Sequence, residues 1–385
     1  MLDINYYRFA EEKAKNGLST WLISKRYNLE IFEKEGFPTR LNNVQQLKQI
    51  FNTMQEDRFD IYMQELDGLN DDELESFMEA LKKSIEFQRI YFPKKDLILP
   101  LDTLMAFFII FNKIYKLNPN AQSILEIGPG SGFSPFFLGQ FKSLEKYTYT
   151  DACESFYMLQ NYINSFMFGI NFKQHAIEKE SNCCYIPEEA LPVSQGGIQK
   201  DIVVECVSKA SFCSNAYPWW KLNDIAKDTT QYEIVTSNAN LLEMSEGALN
   251  DYLSIIKKKI SQSGIFFVHC PGYDLVRGFD YLVDKLYEFN FAIVFYAKWT
   301  HEYSQGDSGE IAKKRFKVPN MVIVNDKHYL YEKFKNKPNL ENLLLLSGDS
   351  SIDNVFFPEK DKNKIMYTKN DMKNLLLQDE RYKEN

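Results

Sequence analysis

The residues of this chain best suited to chemistry lie in Ile124-Leu-Glu-Ile-Gly-Pro-Gly-Ser-Gly-Phe133, where an apolar run ends in an acid and three glycines. Gly128, Gly130 and Gly132 stand at alternate positions. Glycine admits positive φ and lets a ligand approach the backbone with no Cβ in the way. A helix following such a turn would aim its free N–H groups at that ligand. Asp151 closes the next Tyr/Thr-rich segment. An acid at the end of the second strand of a nucleoside-binding parallel sheet accepts hydrogen bonds from ribose hydroxyls. For proton transfer the chain has four histidines. His269 ends a strand-like run, His301 lies in a polar stretch, and His175 and His328 read as surface residues. Glu243 is a further acid that could act as base or metal ligand.

These residues need strands to bring them together. Residues 123–127 read as a first strand, and residues 133–141 as the opening of a helix. Residues 146–150 form a second strand and 154–168 a helix carrying Phe156, Tyr157, Leu159, Tyr162 and Ile163. Residues 171–199, with Pro187, Pro192 and Gly196-Gly197, read as an insertion or extended loop. Strands follow at 201–207, 211–217, 231–238 and 264–269, with a helix over 245–260 capped by Ser245 and another over 280–288. Residues 291–299 and 318–325 would close the sheet as an antiparallel pair, with 301–317 as a polar loop between them. Strand-helix alternation of this kind gives an α/β sandwich with a mostly parallel sheet. Such sheets bind cofactors at the carboxyl ends of their strands. Glu126 to Gly132, Asp151, Trp219, Asn238 and His269 all fall at or just after those ends. On an extended chain, adjacent Trp219 and Trp220 would point to opposite sides, one to the cleft and one to the core.

Before this pattern, residues 1–95 read as several short helices, the clearest at 71–92 behind the cap Asn70. An apolar helix over 101–117 stops at Asn118-Pro119. After residue 330 the chain is charged and Lys/Asn-rich, with an apolar run at 343–346 and a last helix near 370–377.

The net charge of −8 argues against a general nucleic-acid-binding surface. Six cysteines without a C-x-x-C pair point to a reducing cytoplasm and away from a disulfide framework or zinc knuckle. No stretch approaches the length of a membrane-spanning helix, and residues 1–10 carry no signal-peptide core. The expectation is a cytoplasmic protein.

The E-x-G-x-G-x-G spacing resembles motif I of class I S-adenosylmethionine-dependent methyltransferases. A dinucleotide fingerprint would need its third glycine where Phe133 stands, which disfavours an NAD-dependent oxidoreductase. Three more segments are similar to blocks of the sugar O-methyltransferase family of bacterial surface-polysaccharide clusters. They begin at Thr150-Asp-Ala-Cys-Glu-Ser-Phe-Tyr, Tyr217-Pro-Trp-Trp and Ser237-Asn-Ala-Asn. The first block runs on to Gln160-Asn161-Tyr162, and the resemblance covers roughly residues 120–275.

The resemblance implies a Rossmann-like class I methyltransferase sandwich over 96–330, between the helical N-terminal region and a C-terminal tail over 331–385. It implies S-adenosyl-L-methionine held by Glu126, Gly128, Pro129, Gly130, Gly132, Asp151, Ala152, Trp219 and Asn238, and a small-molecule or glycan acceptor. His269, Glu243 and His301 are the candidate catalytic groups. One departure matters: the family block has Asn-His where this chain has Asn238-Ala239. The base must then come from elsewhere, or the acceptor group differs. A different small molecule, a peptide nitrogen and a non-catalytic scaffold therefore remain alternatives, and a homo-oligomer stays open. Asp274, Glu243 and Asn238 offer oxygen ligands, but no paired-acid spacing demands a metal and none is expected.

Overall fold

The computed structural model describes residues 2–17, 38–51, 57–93, 96–177, 212–272, 278–305, 312–339, 345–346, 349–356 and 361–382; the side chains of 298–318 and 345 are outside the described set. The predicted strand at 201–207 and most of the stretch 171–199 also lie outside it.

The chain enters through helices α1 (Ile4–Gly17), α2 (Phe59–Glu65), α3 (Asp71–Tyr91) and α4 (Leu101–Leu117), with a 3-10 turn at Val44–Ile50. The start of α3 is closed by a capping box: Asn70 Oδ1 accepts from the Glu73 N–H, and the Glu73 carboxylate accepts from the Asn70 N–H. The short α2 carries no strong sequence signal, yet it buries Phe59, Ile61, Tyr62 and Met63.

The sheet then begins with β1 (Ser123–Ile127), β2 (Lys146–Asp151), α5 (Glu154–Phe168), β3 (Phe172–Gln174) and β4 (Cys213–Pro218). It continues through α6 (Leu222–Lys227), β5 (Tyr232–Ser237), α7 (Glu246–Lys259), β6 (Ile260–His269) and α8 (Phe279–Glu288). The long strands β7 (Phe291–Gln305) and β8 (Ala312–Asn325) close it. Last come α9 (Tyr331–Phe334), β9 (Leu345–Leu346), α10 (Ser350–Phe356) and α11 (Lys369–Leu377).

Among the described residues the sheet has nine strands in the order β3-β4-β2-β1-β5-β6-β8-β7-β9. From β3 to β6 every pairing is parallel, and β8 enters antiparallel between β6 and β7. This is the expected Rossmann-like sandwich. The order reverses between β1 and β5, because β2 and β4 build to one side of β1 while β5 and β6 build to the other. Ligands of open parallel sheets bind outside the strand ends at such a reversal.

Residues of each strand alternate between two cores. Ile124, Tyr147, Tyr149 and Phe267 face a core shared by α1, α3, α4 and α5, which Met372 and Leu376 of α11 also enter. Leu125, Ile127, Val235 and Val268 face α6, α7 and α8. The N-terminal helices thus cover one face of the sheet together with α4 and α5.

Two expectations are corrected. Residues 133–141 form two 3-10 turns, Ser134–Phe136 and Leu138–Gln140, rather than an α-helix. Gly139 weakens helix propagation in the middle of this short segment, so no regular helix grows there. The polar stretch 301–317 is mostly strand: β7 and β8 stay paired out to Gln305 and Ala312. Strand pairing needs backbone partners more than apolar side chains, so a polar pair can extend from the sheet. Among the described residues no helix is long and apolar enough to cross a membrane.

Candidate cofactor and acceptor site

All three motif glycines have positive φ: +63° at Gly128, +61° at Gly130 and +68° at Gly132. Their surroundings differ. A Cβ at Gly128 would overlap the Asn240 amide, and one at Gly132 would overlap the Gln160 side chain. A Cβ at Gly130 would meet nothing within 4 Å. Two glycines make room for protein, and the middle one borders open space.

The turn is braced on both sides. Its Gly128 N–H donates to Thr150 O at 2.8 Å, and the Gly132 N–H donates to the carbonyl of buried Pro129 at 3.0 Å. From the end of β5, Asn240 Nδ2 donates to Ile127 O at 2.7 Å and Gly128 O at 3.1 Å, while its Oδ1 accepts from Ser237 Oγ at 2.5 Å. From α5, Gln160 Nε2 donates to Gly130 O at 2.5 Å and to Asp151 Oδ2 at 2.8 Å. Asp151 Oδ2 also accepts from the Gly130 N–H at 3.3 Å, and its Oδ1 from the Cys153 N–H at 2.9 Å. Gln160 Oε1 is buried and has no hydrogen-bond partner. Ala152, buried beside Asp151, joins the core on the α6 to α8 face.

Both motif acids are buried. Glu126 lies under the turn, accepting from Ser134 Oγ at 3.0 Å and Tyr147 Oη at 2.6 Å. Burial pushes its carboxyl up to about 7, helped by the charge of Asp151 and opposed by those two hydroxyls. Burial likewise pushes Asp151 up to about 6 against hydrogen bonds from Cys153, Gln160, Gly130 and Ala152.

Beyond β5 lies the acceptor side. Asn238 Oδ1 accepts from the His269 N–H at 3.0 Å, tying the ends of β5 and β6 together, and Asn238 Nδ2 donates to Thr236 Oγ1 at 3.0 Å. Ala239, where the resembling family has histidine, adopts a positive φ of 55° and donates its N–H to Cys270 O at 2.6 Å. Glu243 is half-buried in the following 3-10 turn, close to Gly272. His269 is 4% exposed. Its Nδ1 lies 2.7 Å from Asn320 Oδ1, and its Nε2 is buried without a hydrogen-bond partner.

The structure therefore gathers Gly128 to Gly132, Asp151, Asn238, Glu243 and His269 at the carboxyl ends of β1, β2, β5 and β6. It does not bring every candidate there. Trp219 belongs to a 3-10 turn, Trp219–Lys221, rather than an extended chain. It is buried in the core, and its indole N–H donates to Glu11 Oε1 of α1 at 3.2 Å. Trp220 packs edge-on against Tyr7. The backbone of His301 pairs with Phe316 on the outer β7–β8 arm, and its side chain is outside the described residues, as is all of Asp274. His328 is buried rather than superficial, and His175 is half-buried and stacked on Tyr217 with ring centroids 4.1 Å apart. Sequence reading missed the clamps Asn240 and Gln160 as individual residues, although both lie in segments singled out by the resemblance.

No family model matches this chain, and no curated protein matches it. Solved structures similar to it include a precorrin 8W decarboxylase of Methanobacterium thermoautotrophicum, at 10% identity over 56% of this chain and 89% of that one, with a TM-score of 0.34. TehB from Haemophilus influenzae is similar at 10% identity over 63% and 67%, with a TM-score of 0.34. A precorrin-6y C5,15-methyltransferase from Geobacter metallireducens is similar at 10% identity over 55% and 86%, with a TM-score of 0.31. The fold class is defined by this chain's own strand order, a mostly parallel Rossmann-like α/β sandwich with an antiparallel closing pair.

Proposed function

We propose that this chain is an S-adenosylmethionine-dependent methyltransferase whose acceptor is a sugar hydroxyl, in surface-polysaccharide or glycan biosynthesis. The cofactor part of the reading is carried by the open space at Gly130, beside buried Asp151 and the unpartnered Gln160 Oε1, at the reversal point of the sheet; the sugar acceptor rests on the resemblance over residues 120–275 alone. A nucleoside cofactor fits that donor set. The Gly130 backbone offers close approach, and Asp151 with Gln160 offers polar atoms for a ribose. Glu126, whose carboxyl burial pushes up to about 7, offers negative charge under the turn to a cation when ionised. When bound, S-adenosylmethionine supplies an electrophilic methyl group on a sulfonium. The protein must then align the acceptor and remove the proton of an alcohol, which is a poor nucleophile until that proton leaves. His269, whose buried Nε2 has no hydrogen-bond partner, is the candidate to take it, and Glu243 in the 3-10 turn after β5 is the second candidate.

The test is mass spectrometry of a panel of sugar nucleotides, glycans, small amines and peptides incubated with methyl-deuterated cofactor. A labelled sugar ether is expected. Label on nitrogen alone would contradict the sugar reading, and cofactor binding with no labelled product anywhere would leave a scaffold.

A further inference from the structure

The base of this site is held by two residues from elements that no cofactor motif includes. His269 sits on the same sheet face as Ile265 and Phe267, the face covered by the N-terminal helices. Antiparallel register places Asn320 of β8 directly opposite it. The Asn320 amide has a fixed sense: its Nδ2 donates to Glu65 Oε1, 3.4 Å away at the end of α2, so its Oδ1 faces His269 Nδ1 at 2.7 Å. An amide oxygen can only accept, so Nδ1 must carry the ring proton. In the neutral ring Nε2 is then the lone-pair nitrogen, and it is buried with no hydrogen-bond partner. The Tyr62 ring of α2 lies over the same imidazole, centroids 5.9 Å apart.

We propose that Asn320 and Glu65 are positioning residues that fix the Nδ1–H tautomer of His269, leaving Nε2 as the nitrogen that would take the acceptor's proton. The helix α2 thereby makes the N-terminal region part of the acceptor site. The inference rests on the methyl-transfer reading above. In the step it serves, the acceptor O–H gives its proton to Nε2. With S-adenosylmethionine bound, the oxygen's electron pair would form the new O–C bond while the S–C pair stays on sulfur, and the imidazolium would then return the proton to solvent. Among the described residues, the charged and titratable groups around this chain of contacts include Tyr62 and Glu65 on α2, Arg58 before it, Cys270 next to the histidine with Glu243 acting on it, and Lys113 of α4, which feels the charge of Glu65.

The relay has a spectroscopic signature that needs no acceptor. In protein labelled with 15N-histidine, the His269 resonances are identified by their loss in His269→Asn. The expected wild-type state is the neutral Nδ1–H tautomer. Asn320→Leu and Glu65→Ala should each give a mixture, while Glu65→Gln, which keeps an acceptor for Asn320, should retain the signature. Glu65 is half-buried, so its variants test the relay even if Asn320→Leu does not fold. With any acceptor labelled in the panel, His269→Asn should lower kcat by about a hundredfold. Glu65→Ala should lower it less, with KM unchanged. An Nε2–H tautomer in the wild type, or no change in either disrupting variant, would overturn the proposal. A silent panel alongside an intact Nδ1–H signature would instead contradict methyl transfer.

Discussion

Glu126 and Asp151 are buried acids with raised pKa values, about 7 and about 6, in a turn that offers them only neutral hydrogen-bond donors. Such carboxyls are poised to respond to a cation. A positively charged ligand favours the ionised form, so it lowers the pKa of Glu126. Binding near pH 7 should therefore release a proton, and affinity should rise from about pH 6 to about pH 8 as the free protein loses that proton unaided. Titration calorimetry in buffers of different ionisation enthalpy measures the release, and Glu126→Gln should abolish it. Proton-neutral binding across that range would show that Glu126 does not sense the ligand's charge.

The N-terminal elements are tied to the sheet by buried acids. Glu154, the first residue of α5, receives Arg8 at 2.7 and 2.9 Å, Arg40 at 2.7 Å and the Leu41 N–H at 2.9 Å. This fixes α1 and the chain near residue 40 beside the helix that carries Gln160. Glu73 does the same for α3, α4 and the C-terminal segment. It caps α3, accepts from Asn112 and Lys116 of α4, and pairs with half-buried Lys364 at 3.1 Å. Burial opposes its charge, but those partners together hold its carboxyl down at about 2. A carboxyl lowered on folding adds stability that is complete above its unfolded value, near 4.5, and is lost as pH falls towards 2. Glu73→Ala should therefore cost about 3 kcal/mol at neutral pH, by removing the shared partner of Lys116, Asn112 and Lys364 and the cap of α3. Chemical denaturation should show that cost shrinking below about pH 4. A loss independent of pH would mean that packing, not the ion pair, makes the tie.

Across the whole molecule, the elements that carry local signals were legible in the sequence. The glycine turn, Asp151, the apolar α4 and the aromatic α5 stand where their residues suggest, and the closing antiparallel pair follows two apolar, β-rich runs. What depends on tertiary pairing was not legible. Asn320 becomes a partner of His269 only through strand register, and Glu65 arrives on a helix too short to show a clear period. Trp219 looked like a ligand face because its turn was read as extended chain, whereas α1 claims its indole. The central claim is that the reversal point between β1 and β5 binds a cationic nucleoside cofactor over Gly130. Isothermal titration with S-adenosylhomocysteine tests it most directly. Saturable binding at one site, lost in Gly130→Arg and in Asp151→Ala while circular dichroism stays unchanged, is the predicted result. No binding by the intact chain, or binding that survives Gly130→Arg, would contradict it.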